Sequence, residues 1–393
     1  MVAGAEIGFD NPGAAEHLRF LSEIFLRLIK VIVAPLILGS LISGIAGHGN
    51  LRSLGRIGIK TFIYFELVTT AALFIGVAAI DVSRAGTELT VSQSSSSAVS
   101  AAPETLQWDE FLVHAFPENI AKSIAEGQIL QVAVFAVLFG IALSQVPEAD
   151  RAPLLSFCKS LTKAMFFVTN IVMYFAPVGV GAAMAYTVAH MGSGALAPLA
   201  WLLVTAYVAF AVFILAVMLP VALWARLDFR RFVRAIAEPV TIAFATSTSE
   251  AALPKAMEEM EIFGVPREIV AFVIPAGYSF NMDGSALYLA LASIFVAQAA
   301  GVHMSWTSQL FMVFTLTLSS KGVAGVPRAV LAILIATAAT FHLPSEPIFL
   351  ILGIDALIDM GRTALNVLGN CLASAVIARW EDALAAEPPK SSA

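Results

Sequence analysis

Six polar side chains recur at helical spacing in an otherwise apolar segment near the end of this 393-residue chain. Their separations of four, three, one, three and four residues place them on one face of an α-helix. The apolar flanks are long enough to cross a bilayer, so the polar face should lie at membrane depth, where ionisable groups are costly and usually functional. Together these groups offer a partner to every charge of an acidic zwitterion. The six residues are Asp355, Asp359, Arg362, Thr363, Asn366 and Asn370.

The composition indicates the class of protein. Hydrophobic residues make up 59% and charged residues 13% of the chain, with a mean hydropathy of +0.86, whereas a soluble globular chain has roughly 25% charged residues. The sequence therefore predicts a polytopic membrane protein. Its two cysteines, Cys158 and Cys371, lie in apolar runs and cannot form a disulfide framework.

Seven apolar runs predict membrane helices, at about residues 21–47, 54–82, 128–146, 160–189, 196–225, 265–300 and 346–379. Lys and Arg residues cluster in alternate connections and at the C-terminus, which defines the cytoplasmic side. The clusters are Arg52, Arg56 and Lys60; Arg151, Lys159 and Lys163; Arg226, Arg230, Arg231 and Arg234; and Arg379 with Lys390. The serine-rich loop 83–107 has little basic charge and should be an external linker.

Two further apolar stretches, 229–262 and 306–345, are interrupted by small, polar or proline-containing sequence at 246–250 and 319–327. Irregular backbone at membrane depth is tolerated only inside protein or beside an aqueous cavity, so both stretches favour re-entrant hairpins. Each precedes a helix that carries polar residues. A hairpin followed by such a helix, occurring twice, is typical of an inverted-repeat transporter that binds its substrate at the repeat interface.

The residue types suggest how the site would bind. Arg362 carries a planar, permanent charge that suits a carboxylate, and Asp359 can accept from an ammonium group. Ser249 and the amides around it suit an α-carboxylate, because helix N-termini attract anions. The sequence Asn-Met-Asp-Gly at 281–284 favours a helix break whose carbonyls could hold a cation beside Asp283.

The same charged residues could instead have a purely structural role. Asp359 and Arg362 could simply pair as a buried bridge, and Asp355 could cap a hairpin. A third carboxylate nearby leaves more charge than one pair neutralises, which favours a functional role for Asp359 and Arg362.

Four motifs in a fixed order resemble one transporter family. They are Ala-Ala-Leu-Pro at 251–254, Asn-Met-Asp-Gly at 281–284, Ala-Gly-Val-Pro at 324–327 and Asp-Met-Gly-Arg-Thr-Ala-Leu-Asn-Val at 359–367. Over about Phe25 to Trp380 the chain is similar to the dicarboxylate/amino acid:cation symporter family, the glutamate and aspartate transporters, and in particular to its bacterial proton/sodium-glutamate branch. Four motifs in order are specific, whereas any one tetrapeptide would be weak.

The resemblance implies an all-α glutamate-transporter fold with two re-entrant hairpins and inverted repeats. It implies a homotrimer in the bacterial inner membrane that moves an acidic amino acid by an elevator mechanism, with H+ and/or Na+ as coupling ions, no other cofactor and no nucleic acid partner. We expect an N-terminal stub at 1–20, mainly scaffold and trimerisation helices at 21–225, the transport domain core at 226–380 and a cytoplasmic tail at 381–393. The run 54–82 would belong to the transport domain.

The resemblance also implies roles residue by residue. Arg362 would bind the side-chain carboxylate of the substrate, and Asp359 its amino group. The rest of the substrate site would consist of Thr363, Asn366, Ser249 and Ser285, with the carbonyls of Ser247 and Val326. A cation site, suited to sodium, would use Asp283, Asn281, Thr69 and Thr70, with Gly277, Asn366 and Asn370 beside them. The hydroxyls of Thr69 and Thr70 could instead bond their own helix backbone.

Three departures from the family pattern bear on coupling. Asn370 stands where sodium-coupled members carry a second Asp, and Lys321 places a positive charge where neutral carbonyls would bind a cation. Glu66 and Glu250 are additional carboxylates at membrane depth, and desolvation can raise the pKa of a Glu toward neutrality. We therefore expect protons rather than sodium to drive transport. From the same resemblance we expect the family's first membrane helix to be missing, with a truncated or misassigned start.

Three other functions fit the sequence less well: a C4-dicarboxylate symporter, an anion-conducting channel and an enzyme. A C4-dicarboxylate symporter would leave Asp359 without an ammonium partner, and a channel would not need a site for a complete zwitterion. An enzyme is the poorest fit, because the sequence has no nucleophile motif and its histidines are scattered. They are His17, His48, His114, His190, His303 and His342.

Overall fold

A computed structural model of the protein describes residues 2–47, 55–87, 113, 116–126, 128–191, 196–302, 304–319, 329–341, 343 and 346–384. Within these ranges the regular secondary structure is entirely helical, which confirms the all-α prediction. In chain order the helices are α1 (Val2–Asp10), α2 (Pro12–Ala46), α3 (Gly55–Ser83), α4 (Ile120–Ala125), α5 (Ile129–Gln145), α6 (Glu148–Met191), α7 (Leu196–Phe213), a π-helical segment (Ile214–Met218), α8 (Leu219–Trp224), α9 (Phe229–Thr246), α10 (Ser249–Phe263), α11 (Arg267–Phe280), α12 (Asp283–Ala299), α13 (Trp306–Ser319), α14 (Ala329–Thr340) and α15 (Glu346–Trp380).

The seven predicted apolar runs all coincide with helices. Three helical segments in the described ranges are long and apolar enough to cross a membrane: Arg56–Ser83, Leu196–Trp224 and Arg267–Ala299. Helix α15 is 35 residues long, but its polar face lowers its mean hydropathy. The serine-rich loop lies mostly outside the described residues.

The first interrupted stretch divides where the sequence predicts. Helix α9 ends at Thr246 and α10 begins at Ser249. Between them Ser247 adopts a left-handed backbone with φ 51°, which reverses the helical course of the chain. The second stretch forms α13 and α14, and the segment 320–328 that joins them lies outside the described residues.

Helix α12 forms the centre of the core. Every residue from 283 to 297 is buried, as expected for a helix that is apolar nearly all round and enclosed by neighbours. It packs against α3, α13, α14 and α15. Helix α15 in turn packs against α9, α10 and α11, so the polar face of α15 lies within a bundle rather than at its surface.

Three of the predicted cytoplasmic basic clusters meet at one end of this bundle. Lys60 Nζ donates to the Trp380 carbonyl at 2.8 Å, and both Lys60 and Arg56 pair with Glu381. Arg379 Nε donates to the Ala225 carbonyl at 3.0 Å. The start of α3, the end of α8 and the end of α15 therefore lie on the same side, as the distribution of basic residues predicts.

Candidate functional site

The polar face of α15 is buried along its whole length. Its six residues each expose 5% or less of their surface. Their spacing keeps them on one stripe, and the stripe faces α12 and its neighbours because the remaining faces of α15 are apolar. The six residues are Asp355, Asp359, Arg362, Thr363, Asn366 and Asn370.

Arg362 and Asp359 form a buried pair. Arg362 Nε and Nη2 both lie 2.7 Å from Asp359 Oδ1, and Thr363 Oγ1 donates to the same oxygen at 3.3 Å. Arg362 Nη1 is buried and has no hydrogen-bond partner among the described residues. The buried salt bridge between Asp359 and Arg362 that the sequence allowed is therefore present, but it uses only part of the guanidinium group.

Tyr288 of α12 supports this pair, and its only signal in the sequence is that it is an aromatic residue with a polar hydroxyl in an apolar helix. The Arg362 guanidinium lies 5.4 Å from the centre of the Tyr288 ring, a cation–π geometry. Tyr288 Oη donates to Asp355 Oδ1 at 3.2 Å. Asp355 therefore contacts α12 through Tyr288.

Asn366 ties α15 to the first turn of α12. Its Oδ1 accepts from the backbone N–H of Gly284 at 2.8 Å and of Ser285 at 3.3 Å. Its Nδ2 donates to Ser285 Oγ at 3.0 Å. A Cβ added to Gly284 would lie 2.9 Å from the Arg362 Cα, so glycine is required for this close approach of the two helices.

The predicted cation residues form a second buried cluster beside the first. Thr69 Oγ1 donates to Asp283 Oδ1 at 3.2 Å, and Asn281 Nδ2 donates to Asp283 Oδ2 at 3.2 Å. Asn281 Nδ2 also donates to Asn370 Oδ1 at 3.1 Å. Asn281 Oδ1 and Asn370 Nδ2 are buried without hydrogen-bond partners in the part of the chain that the structure describes. The cluster thus combines one carboxylate with an unused carbonyl oxygen.

The helix break that creates this cluster lies where the sequence predicts it. Helix α11 ends at Phe280 and α12 begins at Asp283, with Asn281 and Met282 between them. The Gly277 carbonyl accepts from the Asn281 N–H at 2.8 Å, and a Cβ on Gly277 would collide with the Asn370 side chain. Gly277 therefore lies against the cluster, whereas Thr70 is only half-buried.

The remaining predicted residues are less closely joined to these clusters. Ser249 is buried at the start of α10 and Ser247 is half-buried, but among the described residues neither forms a hydrogen bond to Arg362 or Asp359. Val326 lies outside the described residues, as does Lys321. Glu250 is in the first turn of α10, and its side chain is not described.

Glu66 differs from its prediction. Its side chain is exposed, although the sequence suggested a buried carboxylate. The buried stripe of α3 runs through Phe65, Thr69 and Ala72, and Glu66 lies just beside it.

Comparison with known proteins gives the family. A model of the sodium:dicarboxylate symporter family matches residues 1–380. The proton/glutamate-aspartate symporter of Escherichia coli (strain K12) is 41% identical over 91% of this chain and 84% of that protein. The proton/sodium-glutamate symport protein of Geobacillus stearothermophilus is 39% identical over 97% of this chain and 91% of that protein. A C4-dicarboxylate transport protein of Acinetobacter baylyi is 38% identical over 95% of this chain and 84% of that protein.

These matches confirm several predictions. The relatives are named as symport or transport proteins, so the chain is a transporter and not an enzyme, and the channel alternative gains no support. With the helices of membrane-spanning length, they confirm a location in a bacterial plasma membrane. The chain belongs to the sodium:dicarboxylate symporter family.

Proposed function

We propose that this symporter takes up acidic amino acids, glutamate or aspartate, together with protons, sodium ions or both. Family membership supports a cation-coupled symporter of dicarboxylates or glutamate. The observation that carries the proposal further is Arg362 Nη1, which is buried beside the Asp359 carboxylate and has no hydrogen-bond partner in the described part of the chain.

A buried guanidinium N–H without an acceptor costs about 1–3 kcal/mol, because it has lost its water and gained nothing in exchange. Arg362 Nη1 is in this position, while Nε and Nη2 are held by Asp359. A substrate carboxylate would supply the missing acceptor. The stack on Tyr288 fixes the plane of the guanidinium, so its free edge is oriented before the substrate arrives.

Asp359 supports an amino acid rather than a plain dicarboxylate. The hydrogen bonds described for it all reach Oδ1. We assign Oδ2 to the substrate ammonium group. Serine hydroxyls and amides around the α9–α10 connection would hold the α-carboxylate.

The coupling cation would bind at Asp283. Its two carboxylate oxygens both accept hydrogen bonds, Oδ1 from Thr69 and Oδ2 from Asn281. Asn281 Oδ1 is buried and has no hydrogen-bond partner among the described residues, and an amide oxygen is the kind of ligand that sodium takes. This geometry supports sodium binding at the cluster.

Protons remain the alternative for coupling. Asn370 supplies no charge next to Asp283, and Glu250 is a further carboxylate in the first turn of α10. Glu66, on the exposed side of α3, is the other carboxylate of this alternative.

Uptake into liposomes tests both parts of the proposal. Labelled glutamate, aspartate and succinate are offered with sodium and proton gradients imposed separately. Accumulation of glutamate or aspartate, with succinate much slower, supports the amino acid substrate, and equal uptake of succinate would favour the dicarboxylate alternative. Accumulation driven by a proton gradient without sodium supports proton coupling. Strict dependence on sodium, with no response to pH, would assign coupling to the Asp283 cluster.

The mechanism and assembly follow from the same proposal. We propose a homotrimer in which a domain containing two re-entrant hairpins, α9–α10 and α13–α14, moves as an elevator. Phe167, Ile171 and Tyr174 expose 71%, 68% and 86% of their surface along one face of α6, an apolar face that either lipid or a second copy would cover. We assign that face to contact with a second copy, and a monomeric mass in native mass spectrometry at low detergent would refute it.

A further inference from the structure

A polar cavity lies at the end of α3 that is far from the Lys60–Glu381 contact. The distribution of basic residues places this end on the external side. Its volume is about 400 Å³, and its walls come from the end of α3 and the turn after it, from α12, from Val302 and Met304 between α12 and α13, and from Gln309 on α13. No residue of the two buried clusters lines it. The side chains that matter here are Asp81, Arg84, Gln298, Gln309, Ile294 and Met304.

Asp81 and Arg84 bring opposite charges to this cavity without pairing with each other. Three residues apart on a continuous helix, they would be neighbours. Helix α3 ends at Ser83, however, and Arg84 adopts a left-handed backbone with φ 50°, which directs the chain away from the helix face. Within the described residues no ion pair joins them. The cavity therefore keeps a carboxylate and a guanidinium at separate positions.

Gln309 adds an unsatisfied acceptor beside Asp81. Its side chain is 8% exposed, its Nε2 donates to Asp81 Oδ1 at 3.4 Å, and its Oε1 is buried without a hydrogen-bond partner among the described residues. The neighbouring Gln298 is satisfied, because it accepts from the Gly86 N–H at 3.1 Å and donates to the Ile80 carbonyl at 3.3 Å. Gln298 thus holds the wall in place, and Gln309 has an oxygen left for a ligand.

We propose that this cavity binds a zwitterion in which a short linker joins a primary ammonium group to an anionic group. The ammonium group donates to the oxygens of Asp81 and Gln309, and the anion accepts from Arg84, while Ile294 and Met304 contact the linker. The volume falls in the range of small-ligand sites, roughly 300–1,000 Å³.

This chemistry has two sources: the head group of an ethanolamine phospholipid, and a free zwitterion in solution. The flanks suit the lipid. Val82, next to Asp81, is 85% exposed, and Trp306, which precedes Gln309 on α13, is 72% exposed. Exposed tryptophan is enriched at the membrane–water interface.

Calorimetric titration of the intact transporter with O-phosphoethanolamine, in nanodiscs of phosphatidylglycerol, tests the binding chemistry. Saturable binding is expected, and Asp81→Asn and Arg84→Gln should each weaken it at least tenfold. Arg267→Gln, at an exposed arginine on α11, is the matched control and should change nothing. Glutamate uptake by each variant establishes that it folds. Absence of saturable binding overturns the proposal, and so does binding to both cavity variants that is as tight as binding to the unmodified protein.

A second measurement separates the two sources. Nanodiscs containing phosphatidylethanolamine should block the titration if the lipid head group occupies the cavity, and native mass spectrometry should then show retained ethanolamine lipid that both variants lose. Undiminished titration in the same nanodiscs identifies the free zwitterion as the ligand. Both outcomes support the site, and neither depends on which ion drives uptake.

Discussion

The role of Asp359 can be tested by changing its charge while keeping its shape. Asp359→Asn retains an oxygen that can accept from Arg362, but it removes the negative charge on which Arg362 Nε and Nη2 converge at 2.7 Å. It also removes the proposed partner of the substrate ammonium group. The two losses are distinguishable, because glutarate has the carboxylates of glutamate without its amine.

The expected loss of glutamate affinity follows from the burial of Asp359 and Arg362. Asp359 is 4% and Arg362 2% exposed, so solvent screens their charges little. Removing one partner of a buried, hydrogen-bonded charge pair across a binding interface costs about 2–5 kcal/mol, and in the complex Asp359 and the substrate ammonium group would form such a pair. Since about 1.4 kcal/mol corresponds to a tenfold change in affinity, glutamate binding should weaken at least about tenfold.

The assay compares the dissociation constants of glutamate and glutarate for the unmodified protein and the variant. We expect Asp359→Asn to weaken the binding of glutamate much more than the binding of glutarate. Asp355→Asn is the matched control: Asp355 is also buried on α15 but contacts Tyr288, so the ratio of the two affinities should stay unchanged. Equal weakening of both ligands by Asp359→Asn would refute the amine assignment and leave Asp359 as a support for Arg362.

Three further outcomes are expected. Arg362→Ala should abolish uptake of acidic amino acids while serine or alanine still binds in a competition assay, and an unchanged glutamate affinity would contradict the role of Arg362. Asn370→Asp adds a carboxylate next to Asn281 and should increase the apparent affinity for sodium in uptake, and an unchanged sodium dependence would exclude Asn370 as the cause of weak sodium coupling. Glu381→Gln should lower the thermal unfolding temperature at pH 7, because hydrogen bonds from Lys60 and then Arg56 lower the pKa of the Glu381 carboxyl. A lowered pKa stabilises the fold above the usual Glu value of about 4.3, so the difference should disappear as pH falls below that value, and a difference that persists there would show a cause other than charge.

The features that depend on local sequence could be predicted. The six polar residues of α15 were expected on one face because helical periodicity alone fixes their relative directions, and all six are buried together. The break at Asn281 and the turn at Ser247 were expected because both places interrupt an apolar run with polar residues.

The features that depend on distant packing could not be predicted. Tyr288 is five residues after Asp283 in an apolar helix, and nothing near it in sequence indicates that Arg362, more than 70 residues later, lies on its ring. Glu66 was expected inside because its run is apolar, but its rotation around α3 depends on which neighbours cover that helix. The close contact of Gly284 with α15 is of the same kind.

The hydrogen-bond capacity of the site supports an amino acid substrate. Asn366 Oδ1 already accepts two backbone N–H groups, which uses both of its lone pairs, and one N–H of its amide bonds Ser285 Oγ. Its remaining N–H can only donate, as can Arg362 Nη1. Asp359 is the carboxylate of this group that accepts hydrogen bonds from Arg362, whereas Asp355 accepts from Tyr288. Several donors beside one anionic acceptor complement a ligand with two carboxylates and one ammonium group, whereas a dicarboxylate would leave Asp359 facing its negative charge.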